Sequence, residues 1–235
     1  VQWAEIHKML KLRVSSAFDN AKVLGQQAFG TEEYERLNLD ELGVQRWCAI
    51  TRGEGTLAVL NDTVGGISAT PDTVWLSLVH GAAYTAHPIE DRKILPQDRF
   101  SPHMDQGERL YRFNLLAGES NALLPTLGRK ADNFNEQPMA VSFFPDGRDV
   151  QTVPALQSLL LVSGESIQLS ALKKAEDGKG YIVRLYNPSD KQAQTVLSGT
   201  LLKQEVAVSF GRFEVVTLRI MDGEAAVCGM TEQQA

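Results

Sequence analysis

The sequence predicts an all-β protein, a large antiparallel β-sandwich followed by a smaller one. Three observations carry that expectation. Apolar and polar residues alternate with period two in many short runs, the signature of strands with one face buried. Turn-forming pairs separate those runs, at roughly ten-residue spacing in the last third of the chain. Helical periodicity of any length is absent.

In chain order, Leu10, Leu12 and Val14 alternate with Met9, Lys11 and Arg13, a strand with one wet side. A second strand is expected near Lys22–Leu24. Residues 31–42 are charged and fit a short helix or a long loop. Arg46–Ile50 is the next strand. The stretch from Gly55 to Val79 organises the rest, reading as strand, turn, strand. Asn61-Asp62 ends its first run, and Gly65-Gly66 offers the conformational freedom for a reversal. Val74, Leu76 and Leu78 then alternate with Trp75, Ser77 and Val79, a strand expected to be buried on both sides.

Residues 80–109 carry three of the four histidines and scattered prolines, a loop long enough to suggest a purpose. Leu110–Leu116 reads as a strand, 117–138 as a polar connection, and Met139–Phe144 as a strand turned by Pro145-Asp146-Gly147. From about residue 151 come Leu159–Ser163, Ile167–Leu172, Tyr181–Asn187, Ala193–Ser198, Glu205–Phe210 and Phe213–Ile220, a small antiparallel sandwich. The expected division is 1–150, part of the large sandwich; 151–221, the small one; and 222–235, a tail without periodicity.

At 235 residues with 43% apolar content, the chain can bury a substantial core. Its net charge of −6 argues against nucleic acid or an anionic membrane as partner. No apolar stretch approaches the roughly 18 residues of a membrane span. Cys48 and Cys228 stand in no metal-binding spacing and read as buried thiols in a reducing compartment. A start without Met or a signal-peptide shape suggests a fragment of a longer, cytoplasmic protein.

Several segments, taken in order, resemble glycoside hydrolase family 38, the α-mannosidases. Trp3 and His7-Lys8-Met9-Leu10-Lys11 resemble the opening of that family's C-terminal β region. Gln45-Arg46-Trp47, Gly55 through Asp62, and Asp105-Gln106-Gly107-Glu108-Arg109 leading into Tyr111-Arg112-Phe113 follow. Asn135-Glu136-Gln137-Pro138, Arg184 through Pro188 and Phe213–Ile220 complete the series. The Asp105–Phe113 stretch is most similar to bacterial members, including mannosylglycerate hydrolases. The resemblance implies the non-catalytic C-terminal portion of an enzyme that hydrolyses α-mannosidic bonds with retention. It places a zinc ion and a carboxylate nucleophile in an N-terminal α/β catalytic domain, the implied partner of this chain. No metal is expected in this part, which is predicted inactive alone. The remaining implied partner is a mannoside, with self-association into a homo-oligomer left open. A stand-alone carbohydrate-binding β-sandwich is the alternative.

The candidate substrate-binding residues are His80, Asn61, Asp62, Asp105 and Arg109. Asn61 and Asp62 are turn-capping residues that could face a sugar pocket. His80-Gly81 stands where the family carries an arginine near a strand end, and an imidazole there can donate a hydrogen bond to a hydroxyl. Asp105 corresponds to the family's Asp-Gln-Gly turn, so His103-Met104-Asp105 is not expected to bind zinc despite its spacing, and neither are His87, Asp91 or Asp98. Arg99, Arg109 and Arg112 suit an anionic group, or else stand solvated or paired with nearby acids. Trp3, Trp47 and Trp75 suit either sugar stacking or the core.

Overall fold

The computed structural model describes residues 1–82, 103–142 and 157–233. They divide into two compact units, one of residues 1–26 with 32–123 and the other of residues 27–31 with 124–235. The boundary expected near residue 150 lies outside the described residues, as do His87, Asp91, Asp98 and Arg99.

The first unit is built around β1 (Gln2–Trp3), β2 (Met9–Ser15), β3 (Lys22–Gln27), β4 (Gly30–Glu33), β5 (Leu42–Gly43), β6 (Trp47–Arg52), β7 (Gly55–Asn61), β8 (Gly66–Thr70), β9 (Thr73–His80), β10 (Gly107–Glu108) and β11 (Phe113–Glu119). One sheet has four strands in the order β2-β9-β8-β5, another has five in the order β11-β7-β6-β3-β4, and β1 pairs with β10. Ile67, Ala69, Val74 and Leu76 of the four-stranded sheet pack in one core with Val23, Cys48, Ile50 and Val59 of the five-stranded sheet. That is sandwich packing, with alternate residues of each strand pointing inward.

The Gly55–Val79 stretch therefore differs from the expected strand pair. It holds three strands, and its two main ones do not pair. β7 lies between β6 and β11 in one sheet, while β9 lies between β2 and β8 in the other. The Asn61–Gly66 turn carries the chain from sheet to sheet, and the tight hairpin is β8–β9, closed by Thr70 opposite Thr73. Neither Gly65 nor Gly66 is left-handed; at Gly66 a Cβ would stand 2.7 Å from the Glu41 carboxylate. β9 buries Val74 and Leu76 fully but leaves Trp75, Ser77 and Leu78 half-buried. Burial on both faces belongs instead to β6, where Trp47 through Thr51 are all buried.

Ser120–Leu123 forms a short helix, α1, which closes the first unit. The second unit continues with a 3-10 turn at Leu124–Thr126 and a longer helix, α2, at Leu127–Asn135. The expected polar connection at 117–138 is thus mostly helical, a short excursion within an all-β fold. Residues 139–142 form no strand, and Met139 and Val141 are exposed; the remainder of the strand expected there lies outside the described residues. Then come β12 (Leu161–Val162), β13 (Gln168–Lys174), β14 (Tyr181–Tyr186), β15 (Ala193–Ser198), β16 (Val206–Phe210), β17 (Val215–Met221) and β18 (Glu224–Cys228). They form a three-stranded sheet, β12-β15-β16, and a four-stranded sheet, β13-β14-β17-β18. Val183, Leu185, Leu218 and Ile220 meet Leu197, Val208 and Phe210 in a separate core.

Of the expected tail at 222–235, the described residues 222–233 form a strand and a latch. β18 pairs with β17 from Thr217↔Cys228 to Met221↔Glu224. Beyond it, Glu232 is buried, with Oε1 2.7 Å from Lys173 Nζ and Oε2 accepting the Glu176 amide at 2.8 Å. Its own backbone carbonyl accepts Arg219 Nη2 at 3.1 Å.

Candidate functional site

The candidate residues fall into two clusters in the first unit, joined by the short run Arg109–Arg112. The first forms where β9 ends. The His80 amide donates to Asp105 Oδ2 at 3.0 Å, and Asp105 Oδ1 lies 3.0 Å from Arg109 Nη2. Asp105 adopts a left-handed backbone, φ 57°, a conformation that Asp tolerates because its short side chain bonds locally. Arg109 is fixed further by its main chain: its amide donates to the Val1 carbonyl at 2.8 Å, and its carbonyl accepts from the Val1 amino group at 2.8 Å. Gln106 Nε2 donates to the carbonyls of Glu5 and Met104, each at 3.1 Å. The Asp-Gln-Gly turn thus clamps the N-terminal segment to the end of β9.

Two histidines that sequence reasoning did not pair also meet here. The Nε2 atoms of His7 and His103 are 3.3 Å apart, and the rings meet edge to face with centroids 4.8 Å apart. Nothing in the sequence links positions 96 apart. Among the described residues, no group of three or more His, Cys, Asp or Glu side chains is placed to hold a metal ion.

The second cluster is the sheet-to-sheet turn. Asn61 is buried; its Nδ2 donates to the Gln45 carbonyl at 3.0 Å and its Oδ1 accepts the Val64 amide at 2.8 Å. Asp62 Oδ2 accepts from Arg112 Nε at 2.9 Å, and its Oδ1 accepts the Arg112 amide at 3.1 Å. Burial alone would raise the Asp62 carboxyl, but the Arg112 and Thr63 hydrogen bonds and the Arg112 charge hold it below the usual carboxylate range. Between the clusters, the Tyr111 hydroxyl donates to the Leu78 carbonyl at 2.5 Å. Burial pushes its phenol above the ordinary value, with Arg109 opposing and Asp105 adding.

Chemically, Asn61 and Asp62 are consumed by the fold. Their polar atoms close the turn, and they present little to a ligand. The His80 side chain is exposed, and Arg109 is partly exposed beside Asp105. A neutral or protonated imidazole and a guanidinium can donate hydrogen bonds to sugar hydroxyls. Arg112, which the sequence offered as an anion anchor or as the partner of an acid, is paired with Asp62. Trp47 is a core residue, Trp75 lies beneath the Arg13 guanidinium at 5.8 Å, and the Trp3 indole nitrogen is buried without a hydrogen-bond partner among the described residues.

Comparison with known proteins bears out the family resemblance over part of the chain. Residues 166–225 match the glycosyl hydrolases family 38 C-terminal beta sandwich domain. No curated protein matches the chain. Among solved structures, a protein in glycosyl hydrolase family 38 from Enterococcus faecalis shares the fold with a TM-score of 0.72 at 13% identity, over 89% of this chain and 26% of that one. An alpha-mannosidase from Enterococcus faecalis V583 does so with a TM-score of 0.70 at 11% identity, over 90% of this chain and 25% of that one. The chain spans about a quarter of the length of those proteins.

Proposed function

We propose that this chain is the non-catalytic C-terminal β-sandwich portion of a bacterial α-mannosidase of glycoside hydrolase family 38. The observation that carries the reading is the coincidence of two likenesses. The second sandwich matches the family's C-terminal domain at 166–225, and about nine-tenths of the chain shares its fold with a family 38 protein and an alpha-mannosidase. In the parent enzyme, a retaining mechanism would need two carboxyl groups about 5 Å apart, and these, with the zinc ion, belong to a separate N-terminal domain. The chain's own role is architectural: it supports that domain, and His80 and Arg109 are the side chains exposed enough to reach a mannoside. Asp105 is their positioning residue, and Asn61 and Asp62 shape the neighbouring turn. Buried, unpaired Cys48 and Cys228 suit a reducing compartment, so we assign the protein to the cytoplasm.

The test is direct. Purified chain, incubated with aryl α-mannosides with and without added zinc, is expected to show no turnover above buffer. Zinc-dependent hydrolysis by clean protein would overturn the reading, as would a gene whose upstream frame encodes no zinc-binding α/β domain.

A further inference from the structure

The second unit carries an open groove of about 690 Å³. Three connections at one end of the sandwich build it: β13–β14, β15–β16 and β17–β18. Loops held at one end of a rigid sandwich are where such folds place recognition. Leu201 and Leu202 line it from the side of the core, against which both pack. Tyr181 and Met221 line it while remaining exposed, at 36% and 42%. Two glycines bring backbone close enough to shape it. Gly180 is left-handed, φ 79°, and a Cβ there would strike the Ile220 carbonyl. At Gly223, φ 80°, a Cβ would come within 2.6 Å of the Lys203 stem.

The polar rim has both signs. Lys179 and Lys203 bring ammonium donors, and Asp222 brings an acceptor. Glu224 Oε1, 3.9 Å from Lys203 Nζ, adds a second carboxylate beside the rim. A simple anion would gain from the lysines and lose to the carboxylates. A ring that is apolar on its face and hydroxylated around its edge suits every part, with its face on Tyr181 and Met221 and its hydroxyls donating to Asp222 and accepting from the lysines. We propose that this groove binds a neutral pyranose, as a free sugar or as the end of an oligosaccharide. The site stands on the second unit alone and does not depend on the identity of the parent enzyme.

The test is a titration of the full chain, followed by amide NMR, with glucose, mannose, galactose and their methyl glycosides; inorganic phosphate and glycerol serve as controls. At least one sugar is expected to bind saturably, with a dissociation constant of roughly 1–10 mM, moving amides within 179–181, 200–203 and 221–223. Tyr181→Ala and Lys179→Ala are expected to weaken that sugar at least about fivefold, or about 1 kcal/mol, while spectra elsewhere stay unchanged. Because the unaltered chain is titrated directly, the test stands even where a variant fails to fold. Silence of those amides toward every sugar overturns the proposal. So does a response to phosphate or glycerol that equals the response to sugar.

Discussion

Asn61 shows how a residue that looks functional in sequence can be spent on structure. Its side-chain amide satisfies the Gln45 carbonyl across the sheet end and the Val64 amide inside the turn, and a buried polar group left without its partner costs more than the bond itself contributed. Asn61→Ala is expected to lower stability by about 2 kcal/mol, read as a lower urea midpoint with an unchanged slope. Glu232 makes the complementary case, a residue in a stretch without pattern that the fold buries. Its hydrogen bonds to Lys173 and the Glu176 amide hold its carboxyl below the usual range, against the opposing effect of burial. Because the folded value is depressed, its stabilisation is present above the unfolded value, about 4.3, and is lost as pH falls through the folded value. Glu232→Gln should therefore lower the melting temperature at pH 7, and the gap from the unaltered chain should shrink as the pH is lowered below about 4. A gap independent of pH would assign the latch to shape rather than charge.

Among the elements, β18 is one that local pattern could not mark. Its residues Glu224–Cys228 are largely exposed, with Val227 62% exposed, so no period-two contrast sets them apart. The strand exists because β17 offers it an edge. Cys228 closes a small cluster with Ala175 and Ile182. Removing residues 224–235 should uncover Ile182, fully buried in the intact chain, and lower the unfolding midpoint more than removal of 229–235 alone. Amide exchange along β17 would become faster, since its backbone groups would lose their partners. β3 supplies a steric counterpart. A Cβ at Gly25 would stand 2.7 Å from the Tyr34 ring, whose hydroxyl donates to the Gly43 carbonyl at 2.5 Å. Tyr34 is buried and cannot swing clear, so Gly25→Ala is expected to cost about 1–3 kcal/mol by overpacking, measured by denaturant unfolding.

At the scale of the whole molecule, each unit has its own core, and each can be probed separately. Trp3, Trp47 and Trp75 all lie in the first unit, so tryptophan fluorescence reports on it. Leu76 is fully buried there, and Leu76→Ala should lower the fluorescence-detected stability by about 2–5 kcal/mol.

Much of this was legible from residue order. Local alternation placed Met9–Ser15, Ala193–Ser198 and most of their neighbours, because a strand's period of two is written in adjacent side chains. It also marked the strand end at His80 and the all-β class, whereas the Asp105–Arg109 turn was marked by the resemblance to family 38. Three things needed the folded chain. The partner of a strand is a non-local choice, so β7 and β9, close in sequence, could lie in different sheets without any local sign. The pairings of Asp105 with the His80 amide and of Asp62 with Arg112 span 25 and 50 residues. Burial of Glu232, and the groove formed by three separate connections, depend on which loops the sandwich gathers at one end. The sequence by itself determined the all-β class and those strands whose alternation is local, and it nominated the candidate side chains. Tertiary structure alone decided which of those side chains are consumed in holding the turns and which still face solvent, because that depends on neighbours brought together only by folding.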